Sequence, residues 1–176
     1  METATLSGGC FWCTEAIFKR LKGVLQVVSG YAGGEGENPL YEEVSMGNTN
    51  FAESIQIKFD PKMISYQKIL EVFWHLVDPT TLNRQGSDIG TQYRSIIFYH
   101  SKNQKRMAEQ SKRQIEKSKL YKDPIVTKIQ PFKNFYKAEE YHQNYFEKNS
   151  YQPYCQLIIN PKIEKLIKEF GESVKK

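Results

Sequence analysis

Residues 51–61, FAESIQIKFDP, alternate with a period of two and stop at an Asp-Pro pair. Phe51, Glu53, Ile55, Ile57 and Phe59 share one side of the strand this predicts. A strand with such a face must bury it against a second layer. The helical run 65–78, SYQKILEVFWHLVD, can supply one, with Ser65 as its cap and Pro79 as its stop. Glu53 is the one acidic residue on that apolar face, an expensive place for a carboxylate unless it is used. The bland alternative is an edge strand whose face is wet.

The rest of the chain mixes strands and helices without strict alternation. A short strand at 3–7 runs into Gly8-Gly9, and Cys13, Ile17 and Leu21 mark one face of a helix closed by Gly23. A strand is expected at 24–34, breaking into a glycine-rich loop, and a loop with a short helix around NPLYEEVSMG. Residues 79–92 form a long polar loop without periodicity, the kind usually kept for function. Beyond it come a strand at 93–100, a helix at 102–120, a short strand at VTKIQP, a helix at 137–149, a strand at 155–160 and a helix after Pro161. No repeat or linker interrupts this pattern. It predicts one domain over 1–176 of the α+β class. The expected architecture is a two-layer α/β sandwich, with a ferredoxin-like core, a mostly antiparallel sheet and extra helices.

The net charge of +5 raises the question of nucleic acid. Much of the excess lies in 101–123, where Lys105, Glu109 and Arg113, like Lys112 and Glu116, stand at i, i+4 spacing. That is a solvated helix face, with at most a weak attraction to acidic partners. No window nears 18 uninterrupted apolar residues, and the first residues lack the pattern of a secretory signal. Neither a membrane nor a nucleic acid is expected as partner. Three cysteines cannot all pair within one chain, so a reducing, cytoplasmic setting is expected and the thiols become chemical suspects.

GGCFWCTE, residues 8–15, puts two of those thiols at a strand-to-helix turn. At a helix N-terminus Cys10 faces free N–H groups and the positive end of the dipole, which predicts a lowered pKa. Glycines 8 and 9 let the backbone pass close to whatever Cys10 attacks. Cys13, one turn on, can face Cys10 or can be a small core residue on the Ile17 face. Phe11 and Trp12 point about 100° apart and cannot both be core, so they are read as walls of an apolar slot. A zinc site lacks ligand spacing among Cys155, His75, His100 and His142, so no metal is expected.

GGCFWCTE, SGYAGG, NPLYEEV, FAESIQIKFDP, GSDIGTQYRSIIFY and AEEYHQNYF, in that order, resemble the A-type peptide methionine sulfoxide reductases from about residue 3 to 160. The resemblance implies reduction of the S epimer of methionine sulfoxide, free or in peptides, by a monomer without metal or organic cofactor. It implies that Cys10 attacks the sulfoxide sulfur, that Phe11 and Trp12 hold the methyl group, and that Glu53, Tyr41 and Tyr93 hold the oxygen. Asp88 matches a residue that fixes the substrate backbone or a water, and His142 and Tyr145 match a segment bordering the site, one turn apart on the expected helix. Thioredoxin is the implied reductant.

The residues agree on Glu53, because a carboxyl among aromatics is pushed toward the range of a general acid. Three departures stand out: Phe51 where many relatives have His, Cys13 where many have Gly, and a tail after Cys155 without glycine before Gly171. The resolving thiol is therefore Cys13 or Cys155. Position i+3 favours Cys13 as first resolver, since its Cα should lie about 5 Å from that of Cys10. Two rival functions remain, a general thiol–disulfide oxidoreductase using Cys10 and Cys13, and a basic nucleic-acid-associated domain using 102–122.

Overall fold

The computed structural model describes residues 1–176. Its first half contains β1 (Glu2–Ser7), α1 (Phe11–Lys19), β2 (Val24–Ala32), α2 (Tyr41–Ser45), β3 (Ala52–Phe59) and α3 (Tyr66–Leu76). The long loop carries a small hairpin, β4 (Arg84–Gln85) and β5 (Asp88–Ile89), and a 3-10 turn, Thr91–Tyr93. There follow β6 (Ile96–Tyr99), α4 (Lys102–Ser118), β7 (Lys128–Pro131), β8 (Phe135–Lys137), α5 (Tyr145–Asn149) and α6 (Asn160–Phe170). The class is α+β. No helix is long and apolar enough to cross a membrane.

Six strands form one mixed sheet in the order β7-β6-β1-β3-β2-β8, antiparallel throughout except where β7 runs parallel to β6. The alternating strand β3 is thus central, paired with β1 and β2 on its two sides. Its Ile55, Ile57 and Phe59 join Leu6, Phe18 and, from α3, Ile69, Leu70 and Phe73 in the main core. Full burial of each such side chain contributes about 1.5–3 kcal/mol. Glu53 shares that strand, so the wet-edge alternative falls.

Helix α3 starts as read, with the Ser65 side chain accepting from the Lys68 N–H at 3.1 Å. Helix α4 buries only Gln104 and Ala108, and Lys105 pairs with Glu109 at 3.9 Å on its exposed side.

Two segments differ from expectation. Residues 137–149 are not one helix. β8 pairs with the end of β2, a 3-10 turn spans Glu140–His142, and Asn144, at φ +55, breaks the chain before α5. Long-range bonds override the helical pattern: Gln143 is bonded to both backbone groups of Ser29, and the Asn144 N–H is taken by Glu15. The apolar run 155–160 is not a strand either. Cys155 and Ile159 are buried while Gln156 and Leu157 are exposed, a helical spacing, and the run is a π-helical turn (Cys155–Ile159) leading into α6. A one-sided apolar run of six residues fits either periodicity until the partner surface is known.

Candidate active site

Cys10 is the N-cap of α1. The chain reaches it through Gly9 at φ +83, where a Cβ would also lie 2.7 Å from the Gln85 side chain. The Gly9 N–H donates to the Tyr93 carbonyl at 3.2 Å, which ties this turn to the end of the long loop. Cys10 therefore sits where β1, α1 and the loop converge.

Glu53 lies beneath the same turn, 3% exposed, and its Oε2 accepts from the Phe11 N–H at 2.9 Å. Burial pushes its carboxyl up to about 8, against the pull of that bond and with the charges of Asp88 and Cys13 adding to it. At neutral pH it holds a proton next to the thiol. Tyr41, at the start of α2, is pushed to about 12 by burial and then by the charges of Glu53 and Cys10. Tyr93 shifts the same way for the same reasons. Both phenols thus remain protonated donors facing the site.

The expected lowering of the Cys10 pKa is not what the structure shows. The thiol is 8% exposed and makes no capping bond to the helix. Burial pushes it well above the ordinary value, and its bond to Cys13 and the Glu53 charge add to that. Cys13 moves down to about 7, through the bond from Cys10 and the Lys162 charge working against burial. Two sulfurs sharing one hydrogen bond give up the first proton readily and keep the second. Ionised Glu53 repels charge from Cys10, so a protonated Glu53 also eases thiolate formation there. Helix-end stabilisation is local, and burial together with the contact to Cys13 outweighs it.

The aromatic pair divides its work. Phe11 is buried, with its ring 5.7 Å from Tyr31 and 5.0 Å from His142. Trp12 is half-buried, stacked on Tyr145 at 3.7 Å, and its Nε1–H donates to His142 Nδ1 at 3.0 Å. Accepting that bond requires neutral His142, and burial lowers its pKa accordingly. The Tyr41 ring stands 4.5 Å from the same imidazole. His142 and Tyr145 therefore meet Trp12 from the two sides of the Asn144 break, not from adjacent turns of one helix.

All three cysteines are unpaired, and all three pack in one small buried cluster with Ala16 and Ile159. Asp88, in the loop hairpin, accepts from the Tyr154 hydroxyl at 2.7 Å. Cys10, Phe11, Trp12, Cys13, Glu53, Tyr41, Tyr93, His142, Tyr145, Cys155 and Asp88 thus come to one end of α1, whereas His75 and His100 lie away from it, against Phe170 and Phe132. Two were missed. Tyr154 stands 3.6 Å from Cys13 Sγ, and its only signal was adjacency to Cys155. Glu15, inside the GGCFWCTE stretch, is buried and accepts the Asn144 N–H with both oxygens, at 2.9 and 3.0 Å.

A family model described as Peptide methionine sulfoxide reductase matches residues 2–174. The chain belongs to that family. The Peptide methionine sulfoxide reductase MsrA of Saccharolobus solfataricus is 54% identical over 175 residues, 99% of this chain and 98% of the relative. Reduced Mxr1 from Saccharomyces cerevisiae superposes with a TM-score of 0.80, at 38% identity over 88% of both chains. Mxr1 in complex with Trx2 superposes at 0.57, with 30% identity over 82% of this chain and 84% of that one. This reductase is a peptide-methionine (S)-S-oxide reductase.

Proposed function

We propose that Cys10 is the nucleophile, Glu53 the proton donor and Cys13 the first resolving thiol of a thioredoxin-recycled cycle. One observation carries this reading: a buried carboxyl, protonated near neutral pH, bonded to the peptide N–H that follows the Cys10 residue. Sulfoxide oxygen leaves sulfur poorly until it is protonated. As Cys10 Sγ attacks the sulfoxide, Glu53 supplies that proton and the oxygen passes to Cys10. Methionine departs and a sulfenic acid remains on Cys10.

Phe11 and Trp12 take the substrate methyl group, with Trp12 held by His142 and Tyr145. Tyr41 and Tyr93 hold the oxygen with Glu53, and Asp88 fixes the substrate backbone or a water. Such a slot accepts free and peptide-bound methionine sulfoxide alike. Cys13 then condenses with the sulfenic acid; its backbone N–H donates to the Cys10 carbonyl at 3.1 Å, which holds the two residues on one helical turn and supports it over Cys155. Cys155 packs against the pair and takes over the disulfide by exchange. The complex of Mxr1 with Trx2 supports a thioredoxin as the dithiol that closes the cycle. No metal or organic cofactor takes part.

The same reading makes residues 1–176 a single catalytic domain and a monomer. The order β6-β1-β3-β2, with α1 between β1 and β2 and α3 between β3 and β6, supports a ferredoxin-like core. Three unpaired thiols suit the cytoplasm. The test is single-turnover methionine release by Cys10→Ser, with circular dichroism to establish folding. Release should vanish; a folded variant keeping more than about 5% of the wild-type burst would move the nucleophile elsewhere.

A further inference from the structure

Tyr154 has no part in the steps above, yet its hydroxyl stands between two groups that do. It donates to Asp88 Oδ2 at 2.7 Å, and Cys13 Sγ lies 3.6 Å from the same oxygen. A phenol carries one proton. While that proton is given to Asp88, the second contact makes Tyr154 the acceptor and the Cys13 S–H the donor. The three groups form a chain from thiol through phenol to carboxylate. Its outer end lies in the loop hairpin, where Asp88 is half-buried.

Two features suit this chain to moving a proton. Burial, then the charges of Cys10 and Cys13 and the bond to Asp88, push the Tyr154 pKa up, so the phenol passes a proton along without staying ionised. The backbone also departs from a regular helix here, since the π-helical turn opens directly after Tyr154. Such turns recur at functional sites.

We infer that Tyr154, backed by Asp88, is a catalytic base relay that deprotonates Cys13 as the disulfide forms. The inference rests on Cys13 being the first resolver. Oxidation of Cys10 removes the thiol contact that chiefly drew charge onto Cys13, so burial then keeps the Cys13 proton and a base is needed. Cys13 Sγ attacks the sulfur of the Cys10 sulfenic acid, the S–S bond forms and the S–O bond breaks. The Cys13 proton passes to Tyr154 Oη, whose own proton passes to Asp88. The departing hydroxide recovers one proton, from Asp88 or from water in exchange with it, and leaves as water. Cys13 is oxidised, the Cys10 sulfur is reduced, and no net proton is gained or lost. The ionisable groups that face Cys13 are Cys10 on α1, Glu53 on β3, Asp88 in the loop, Cys155 with Tyr154, and Lys162 on α6.

The experiment follows one turnover on the full chain, timing methionine release, free thiol loss and trapping of the sulfenic acid by a dimedone-type reagent. In Tyr154→Phe, which keeps the ring against Trp12, disulfide formation should lag methionine release by about 10²-fold more than in wild type. The lag should shrink as pH is raised toward about 9, where the Cys13 thiol ionises without the relay. Asp88→Asn leaves an acceptor for the phenol but no base, and should show the same lag. Disulfide formation at the wild-type rate in both variants, or a lag indifferent to pH, would overturn the relay. Cys13→Ser and Cys155→Ser test the underlying reading separately. If only Cys155→Ser lets sulfenic acid accumulate, Cys13 is not the resolver and the relay falls with it. If Cys13→Ser stalls while Tyr154→Phe does not, the relay alone is wrong.

Discussion

Glu15 and Glu53 are both almost fully buried, 2% and 3% exposed, and both accept backbone N–H groups beside α1. Their compensation differs. Glu15 takes the Asn144 N–H on both oxygens and feels the Lys19 charge, which works against the burial that raises its pKa. Glu53 has the Phe11 N–H alone and no cation, so burial prevails and its carboxyl rises to about 8. A buried carboxylate with bonds and a cation can act as a strut, whereas one left short of them keeps its proton. Glu15 pins the turn that brings His142 and Tyr145 to Trp12, while Glu53 stores a proton beside Cys10.

Removing the stored proton should have the largest effect. Glu53→Gln should slow methionine release by about 10²–10⁴-fold at neutral pH, measured by rapid quench, with the deficit shrinking as pH falls. The wild-type rate itself should decline as pH rises through about 8, where Glu53 loses its proton, and the Gln variant should lack that decline. A variant within about threefold of wild type near pH 8 would place Glu53 with Glu15 as a structural group.

A second effect follows from linkage. The Glu53 pKa is raised in the folded chain, so its contribution to stability is whole below the unfolded value of 4.5 and is lost as pH rises through about 8. Urea unfolding at about pH 5 and about pH 9 should show wild type losing on the order of a few kcal/mol more than Glu53→Gln. Parallel losses would mean that Glu53 is compensated after all.

The smallest effect belongs to the strut. Glu15→Gln keeps one carbonyl oxygen for the Asn144 N–H but loses the charge, and should cost about 1–3 kcal/mol of stability. Its loss of methionine release should stay well below that of Glu53→Gln. If the order of the two rate losses were reversed, the distinction between strut and acid would collapse.

The contrast also marks how far the sequence could be read. Glu53 was legible because it interrupts a period-two apolar face, and β3 sits at the centre of the sheet as that face requires. Ser65 and Pro79 bracketed α3, and the GGC turn placed Cys10 at a helix start. Glu15 gave no such signal, since an acid in a helix is ordinarily solvent-facing. The helical look of 137–149 and the strand-like look of 155–160 both misled. In each, partners more than 100 residues away chose the conformation, Ser29 and Glu15 for the first and the α1 thiols for the second. Tyr154 belongs to the same class, a tyrosine among eleven until the fold sets its hydroxyl between Cys13 and Asp88.

By itself the sequence determined where faces are buried, where α1 and α3 begin, and which ordered motifs the chain shares with its family. Periodicity and capping are local, so they survive in one dimension. Only the tertiary structure decided the charges. Cys10 looked activated by its helix, but burial and its contact with Cys13 hold its proton, while Cys10 and Lys162 draw charge onto Cys13. A proton's place depends on desolvation and on charges a few ångströms away through space, and neither is written in the spacing of residues along the chain.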